Sequence, residues 1–130
     1  WAAGVFASHF VSQILGLSYD GRGRMLRFKP FSPTSDFAWE RARLGSGVFS
    51  VSVARGDGDI ECSVTNHNDH AVTVAAELIL PAGATLTQLT VDGDVRDDVG
   101  VGTFFEAATA TCDIELAPGA STTARVTYDT

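Results

Sequence analysis

VFSVSVARGDGDIECSVTN, residues 48–66, contains two alternating runs around a single turn. In the first run Phe49 and Val51 alternate with Ser50 and Ser52, so apolar and hydroxyl side chains fall on opposite faces of an extended chain. Gly56-Asp57-Gly58-Asp59 then breaks the pattern, and Ile60, Cys62 and Val64 resume it on the far side. A period of two, β-branched residues and a Gly/Asp punctuation mark predict strand, turn, strand, each strand with one face in a core.

The pattern extends in both directions. On the N-terminal side RMLRFKP ends at a proline, and FAWERARL alternates Phe37, Trp39, Arg41 and Arg43 against Ala38, Glu40, Ala42 and Leu44. On the C-terminal side the turn NHND (66–69) leads to AVTVAAELILP, TLTQLTVDGD, GVGTFFEA, TATCDIEL, the turn APGAS and TTARVTYD. Strands this short, with turn residues every eight to twelve positions, predict an antiparallel two-sheet β-sandwich of about eight or nine strands. Cys62 shares a face with Ile60 and Val64, and Cys112 with Ile114 and Leu116, so both thiols are expected in the core. Two readings fit them: buried free cysteines or a disulfide across the sheets.

The first residues obey a different rule. Phe6, Phe10, Ile14 and Leu17 recur at helical spacing, with Val5, Val11 and Leu15 beside them, and Gly16 stands where a helix would stop. Residues 1–17 therefore read as one N-terminal α-helix, residues 18–23 as loop, and 18–130 as the sandwich domain. The apolar surface of this helix is wider than one sheet flank covers. The composition switch between Leu17 and Gly23 marks the expected domain boundary.

Charge narrows the choice of partners. The 130 residues carry 9 Lys and Arg against 16 Asp and Glu, a formal charge of −7, which disfavours nucleic acid or an anionic membrane. Arg22, Arg24, Arg27, Lys29, Arg41, Arg43 and Arg55 make the first part basic, and the acids dominate beyond it. No apolar run reaches the roughly 18 residues a membrane-spanning helix needs. Ser8, His9, Ser12 and Gln13 interrupt a signal-peptide reading of the opening residues.

The junction of helix and sandwich resembles a known one. Trp1, Gly16, Leu17, Asp20, Leu26, Pro30 and Pro33 match the passage from the last helix of an (α/α)6 barrel into a C-terminal β-sandwich. That passage is found in glycoside hydrolases and phosphorylases of the glycogen-debranching, α-L-rhamnosidase and disaccharide-phosphorylase type. The strand ending at Asp92-Gly93 is also similar to theirs, whereas Phe31-Ser32-Pro33 departs from the usual leucine-bearing stretch. The resemblance implies a non-catalytic accessory sandwich whose partner is a preceding catalytic barrel of the same polypeptide. It implies no cofactor, and it makes Val5, Phe6, Phe10, Ile14 and Leu17 a packing surface for that barrel. If that surface were bare, the helix would be expected to self-associate. A stand-alone carbohydrate-binding module and an immunoglobulin-like adhesion domain are the competing readings.

Candidate chemistry is sparse. A glycosidase needs two carboxyl groups facing across a sugar, but Asp57, Asp59, Asp92, Asp94, Asp97 and Asp98 all fall in expected turns. Asp92, Asp94, Asp97 and Asp98 lie within seven positions and could supply oxygen ligands to Ca²⁺, although their spacing is not that of the helix-flanked calcium loop. His67 and His70 lie three apart in a turn without a third ligand nearby, and LGSGV (44–48) does not precede a helix as a nucleophile elbow would. Trp39 shares its expected face with Phe37, which favours core packing; the competing reading makes it an exposed platform, and with Tyr19 and Arg41 it forms the expected carbohydrate contacts, since aromatic faces stack on sugar rings and arginine binds hydroxyls.

Overall fold

In a computed structural model of the chain, residues 17–29, 37–104 and 107–129 are described. All regular structure among them is β. Eleven strands run in chain order: β1 (Leu17–Asp20), β2 (Met25–Phe28), β3 (Phe37–Leu44), β4 (Gly47–Arg55), β5 (Asp59–Asn66), β6 (Val72–Ile79), β7 (Thr85–Val91), β8 (Asp94–Val95), β9 (Gly100–Phe104), β10 (Ala107–Leu116) and β11 (Ser121–Asp129). They form a five-stranded sheet in the order β1-β2-β6-β10-β9 and a six-stranded sheet in the order β3-β4-β5-β11-β7-β8. The two-sheet expectation holds. The count exceeds eight or nine because short β1 and β8 read as loop in the sequence.

The faces follow the alternation. Phe49, Val51 and Val53 of β4, with Ile60, Cys62 and Val64 of β5, are buried on the inner face of the larger sheet. Val72, Val74, Ala76 and Leu78 of β6 and Ala110, Cys112, Ile114 and Leu116 of β10 meet them from the smaller sheet. Together these side chains form one continuous core. Both cysteines lie in it as free thiols, so the disulfide reading is set aside.

Three expectations need correction. The sandwich is not purely antiparallel: β2 runs parallel to β6, with Leu26 opposite Val74. The β3–β5 meander lies between these strands in the chain and builds the other sheet, so the chain returns beside β2 in the same direction.

Leu17 is no helix end either. It pairs with Phe28 as the first residue of β1 and is 1% exposed, and Ser18–Asp20 continue the strand instead of starting a loop. Its neighbours on the expected packing stripe, Val5, Phe6, Phe10 and Ile14, lie outside the described residues. Gly21 and Gly23 bracket the β1–β2 turn and disguised the short strand before it.

The third correction concerns β3. Trp39 pairs with Val51 and Ala42 with Phe49, leaving Glu40 and Arg41 together opposite Ser50. This β-bulge shifts the alternation by one residue. Trp39 packs against the core from the inner side, and Ala42 and Leu44 are buried on that same side. Trp39, Arg41 and Arg43 therefore do not share a face.

Candidate functional site

The polar chemistry of the molecule gathers where the β5–β6 loop, Asn66 to Ala71, closes one end of the sandwich. Asn66 is fully buried. Its Nδ2 donates to the carbonyls of His70 (2.9 Å), Leu116 (3.1 Å) and Ala117 (3.3 Å), and its Oδ1 accepts from the Asn68 amide at 2.9 Å. Asn68 in turn exchanges bonds with the backbone of Val48. These bonds pin two turns and the start of β4 together and hold His67 and His70 in place.

His70 faces β1. Its Nδ1 lies 3.2 Å from Asp69 Oδ1, an acceptor, so Nδ1 carries the proton and Nε2 accepts the Tyr19 hydroxyl proton at 2.9 Å. The Tyr19 ring stands edge-on to Phe49, with centroids 5.1 Å apart. Gly47 leaves room for this pair, since a Cβ there would come within 2.6 Å of Phe49 and 2.8 Å of Tyr19. The Tyr–His–Asp order is that of a nucleophilic relay. Here the Asp69 carboxylate stands fully in solvent, where its charge is screened, and the tyrosine is packed as a seam between the sheets.

His67 faces the bulge. Its Nε2 lies 2.7 Å from Ser50 Oγ and its Nδ1 lies 3.5 Å from Arg41 Nη1. A guanidinium only donates, so Nδ1 accepts and the ring proton sits on Nε2, pointing at Ser50. Ser50 Oγ also accepts from the Arg41 amide at 3.0 Å. A base that already donates to the hydroxyl cannot take its proton, so this Ser–His contact is not a nucleophilic dyad. It does hold Arg41, at φ +53°, in a left-handed conformation that costs a non-glycine residue about 1–2 kcal/mol.

Beside the bulge, the outer face of the larger sheet carries a shallow groove of about 240 Å³ lined by Ala38, Trp39, Glu40, Ser50, Val51, Ser52, Ser63 and Thr65. Its polar wall is made of hydroxyls, two of which are paired across strands: Ser63 with Thr123 at 2.9 Å and Thr65 with Ser121 at 2.7 Å. Glu40 is the one carboxylate in the lining. Of the three expected sugar contacts, Trp39 is among the residues that line the groove but packs its side chain against the core, and Arg41 sits next to the groove. Tyr19 belongs to the seam at the sandwich end.

The aspartates expected as calcium ligands are dispersed in their bonding. Asp92 accepts from the Thr122 hydroxyl (2.9 Å) and the Thr123 amide (2.8 Å), closing the turn after β7. Asp98 makes a two-pronged pair with Arg96, at 2.7 and 3.0 Å, and the guanidinium hydrogen bond holds its carboxyl below the usual range. Asp94 and Asp97 point into solvent. Among the described residues no three His, Cys, Asp or Glu side chains are placed to share a metal ion. The Asn66 hub was not foreseen, although the NHND turn was, because a turn asparagine and a buried one look alike in sequence.

Comparison with known proteins matches the fold. The chain is similar to part of a solved structure, that of a GH127 β-L-arabinofuranosidase from Geobacillus stearothermophilus T6, with a TM-score of 0.50 and 16% identity. The match covers 85% of this chain and 16% of that one, so this chain spans about a sixth of that enzyme's length. No protein-family model and no curated protein matches.

Proposed function

We propose that this chain is a non-catalytic accessory β-sandwich of a carbohydrate-active enzyme, packed on a helical-barrel catalytic domain of the same polypeptide. The observation that carries the reading is that 85% of the chain resembles a small part of a glycoside hydrolase. The Trp1-to-Pro33 junction, read independently from the sequence, leads to the same class. The groove supports it from the chemical side: one carboxylate, Glu40, cannot provide the two-carboxylate pair of glycoside hydrolysis. In this reading Val5, Phe6, Phe10 and Ile14 face the barrel and Leu17 ties the junction to the sandwich.

The test is the size of the native protein. An antibody raised against residues 17–129 should detect a species several hundred residues longer than this chain in an extract of its source organism. A species of 13.7 kDa alone overturns the reading.

Carbohydrate binding by the sandwich itself is the second reading, favoured by the hydroxyl-lined groove with Trp39 and Arg41 at its side. Titration with neutral oligosaccharides should then change Trp39 fluorescence, and Glu40→Gln should weaken the response.

A further inference from the structure

The chain contains three Asp-Gly steps, Asp20-Gly21, Asp57-Gly58 and Asp92-Gly93. Each stands where a strand hands over to its antiparallel partner: β1 to β2, β4 to β5 and β7 to β8. An aspartate followed by glycine is open to one intramolecular reaction, because glycine has no Cβ to shield its amide nitrogen from the preceding side chain. In sequence the three steps are alike. The fold separates them.

Two of the three carboxylates are held. Asp20 Oδ1 accepts from the Arg22 amide at 3.0 Å, closing an Asx-turn. Asp92 accepts from the Thr122 hydroxyl at 2.9 Å and the Thr123 amide at 2.8 Å, and its own amide donates to the Thr123 carbonyl at 2.9 Å. Asp57 is exposed, and among the described residues its carboxylate has no hydrogen-bond or ion-pair partner. The Gly58 amide, the atom that would attack it, likewise donates no hydrogen bond among the described residues. A Cβ placed on Gly58, at φ +90°, would meet only the Tyr128 carbonyl oxygen, at 3.7 Å, so no side chain crowds this corner. The neighbouring Asp59 is committed to Arg125.

We propose that Asp57 is an isoaspartate-forming site, the one of the three steps at which the folded chain rearranges. The Gly58 nitrogen attacks Asp57 Cγ, and a C–N bond forms. The C–O bond to the hydroxyl of the protonated carboxyl breaks, and that hydroxyl leaves with the amide proton as water. The five-membered succinimide then takes back one water at either carbonyl. Opening at the side-chain carbonyl restores aspartate. Opening at the main-chain carbonyl leaves the backbone running through Cβ and Cγ, with a free α-carboxylate. Nothing is oxidised or reduced, water is the only co-reactant, and the product keeps the mass of the parent. The last paired residues of this hairpin are Arg55 and Ile60, so the extra backbone methylene falls in the turn, where it disturbs the 3.0 Å bond from the Gly56 amide to the Asp59 carbonyl. The proposal is independent of the functional reading above.

The experiment ages the full chain for weeks in mildly acidic buffer at physiological temperature, beside a sample kept unfolded in guanidinium chloride. An L-isoaspartyl methyltransferase with a labelled methyl donor counts the product, and electron-transfer fragmentation of the peptides locates it. In the folded chain, position 57 should carry several-fold more isoaspartate than 20 or 92. In the unfolded chain the three should be labelled to a similar extent. Asp57→Glu, whose ring closure would need six members, should lose nearly all the label of the folded sample and unfold as the parent does. A folded chain that stays unlabelled at 57 overturns the proposal, as does one in which 20 or 92 leads. The same ranking in folded and unfolded samples overturns it too, since the fold would then select nothing. Should Asp57→Glu fail to fold, the located label in the parent decides alone.

Discussion

Asn66 Nδ2 donates to the carbonyl of Leu116 at 3.1 Å, joining residues fifty positions apart from a side chain with no exposure to water. The same amide satisfies two further carbonyls and receives two bonds from Asn68. Removing it orphans several polar groups in a closed space, each costing about 1–3 kcal/mol. Asn66→Ala should therefore lose about 2–4 kcal/mol in urea unfolding, with the denaturant slope unchanged. Asn68→Ala, which leaves the buried carbonyls satisfied, should lose less. A cost below about 1 kcal/mol for Asn66→Ala would mean that water takes over its role.

Arg41 allows backbone strain to be separated from side-chain bonding. Arg41→Gly removes the penalty of φ +53° together with the long contact to His67, whereas Arg41→Ala removes the contact and keeps the penalty. The glycine variant should be the more stable of the two by about 1 kcal/mol, measured by thermal or urea unfolding. Equal stabilities would show that the bulge relaxes when the guanidinium is cut away.

How far the sequence leads is shown by particular residues. Phe49, Val51, Ile60, Cys62 and Val64 were legible because alternation is a property of the strand itself, and all five are buried in the expected sense. Trp39 packs against the core, as its shared face with Phe37 suggested, but Arg41 and Arg43 do not share that face, because a single bulge residue opposite Ser50 reverses every later assignment. The clue was present: Ala42 and Leu44 suit a core better than Arg41 and Arg43. Leu17 fits a helical stripe and a buried strand equally well, and only its pairing with Phe28 decides. At the site the two histidines were visible as a spacing. Their partners, Tyr19, Ser50 and Arg41, come from distant strands and carry no mark of the contact in sequence.

Cys62 gives the fold an alkaline limit. Burial, with the second thiol at Cys112 as the next cause, pushes its pKa from 9.0 up to about 12. The folded state thus keeps a proton that the unfolded chain releases, so this stabilising contribution is complete below about pH 9 and fades as pH rises toward about 12. The expected slope is about 1.4 kcal/mol per pH unit for one thiol. Unfolding of Cys62→Ala, compared with the parent across that range, should start lower and fall less steeply. Parallel curves would show that the thiol ionises without penalty in the fold.

The last prediction concerns where the sandwich begins. Leu17 is 1% exposed and paired with Phe28, and Tyr19 seals the seam against Phe49, so β1 belongs to the folded unit. The stripe of Val5, Phe6, Phe10 and Ile14 lies outside the described residues, and in the proposed enzyme it faces the barrel. Deleting residues 1–16 should leave cooperative unfolding close to that of the full chain. It should also remove any association seen by light scattering. Deleting residues 1–20 should be far more damaging. It strips a fully buried leucine, worth about 1.5–3 kcal/mol, together with the tyrosine seam and the strand that covers the edge of β2. If the chain lacking residues 1–16 is already unfolded, the opening segment is part of the sandwich core, and its assignment to a neighbouring barrel fails on physical grounds.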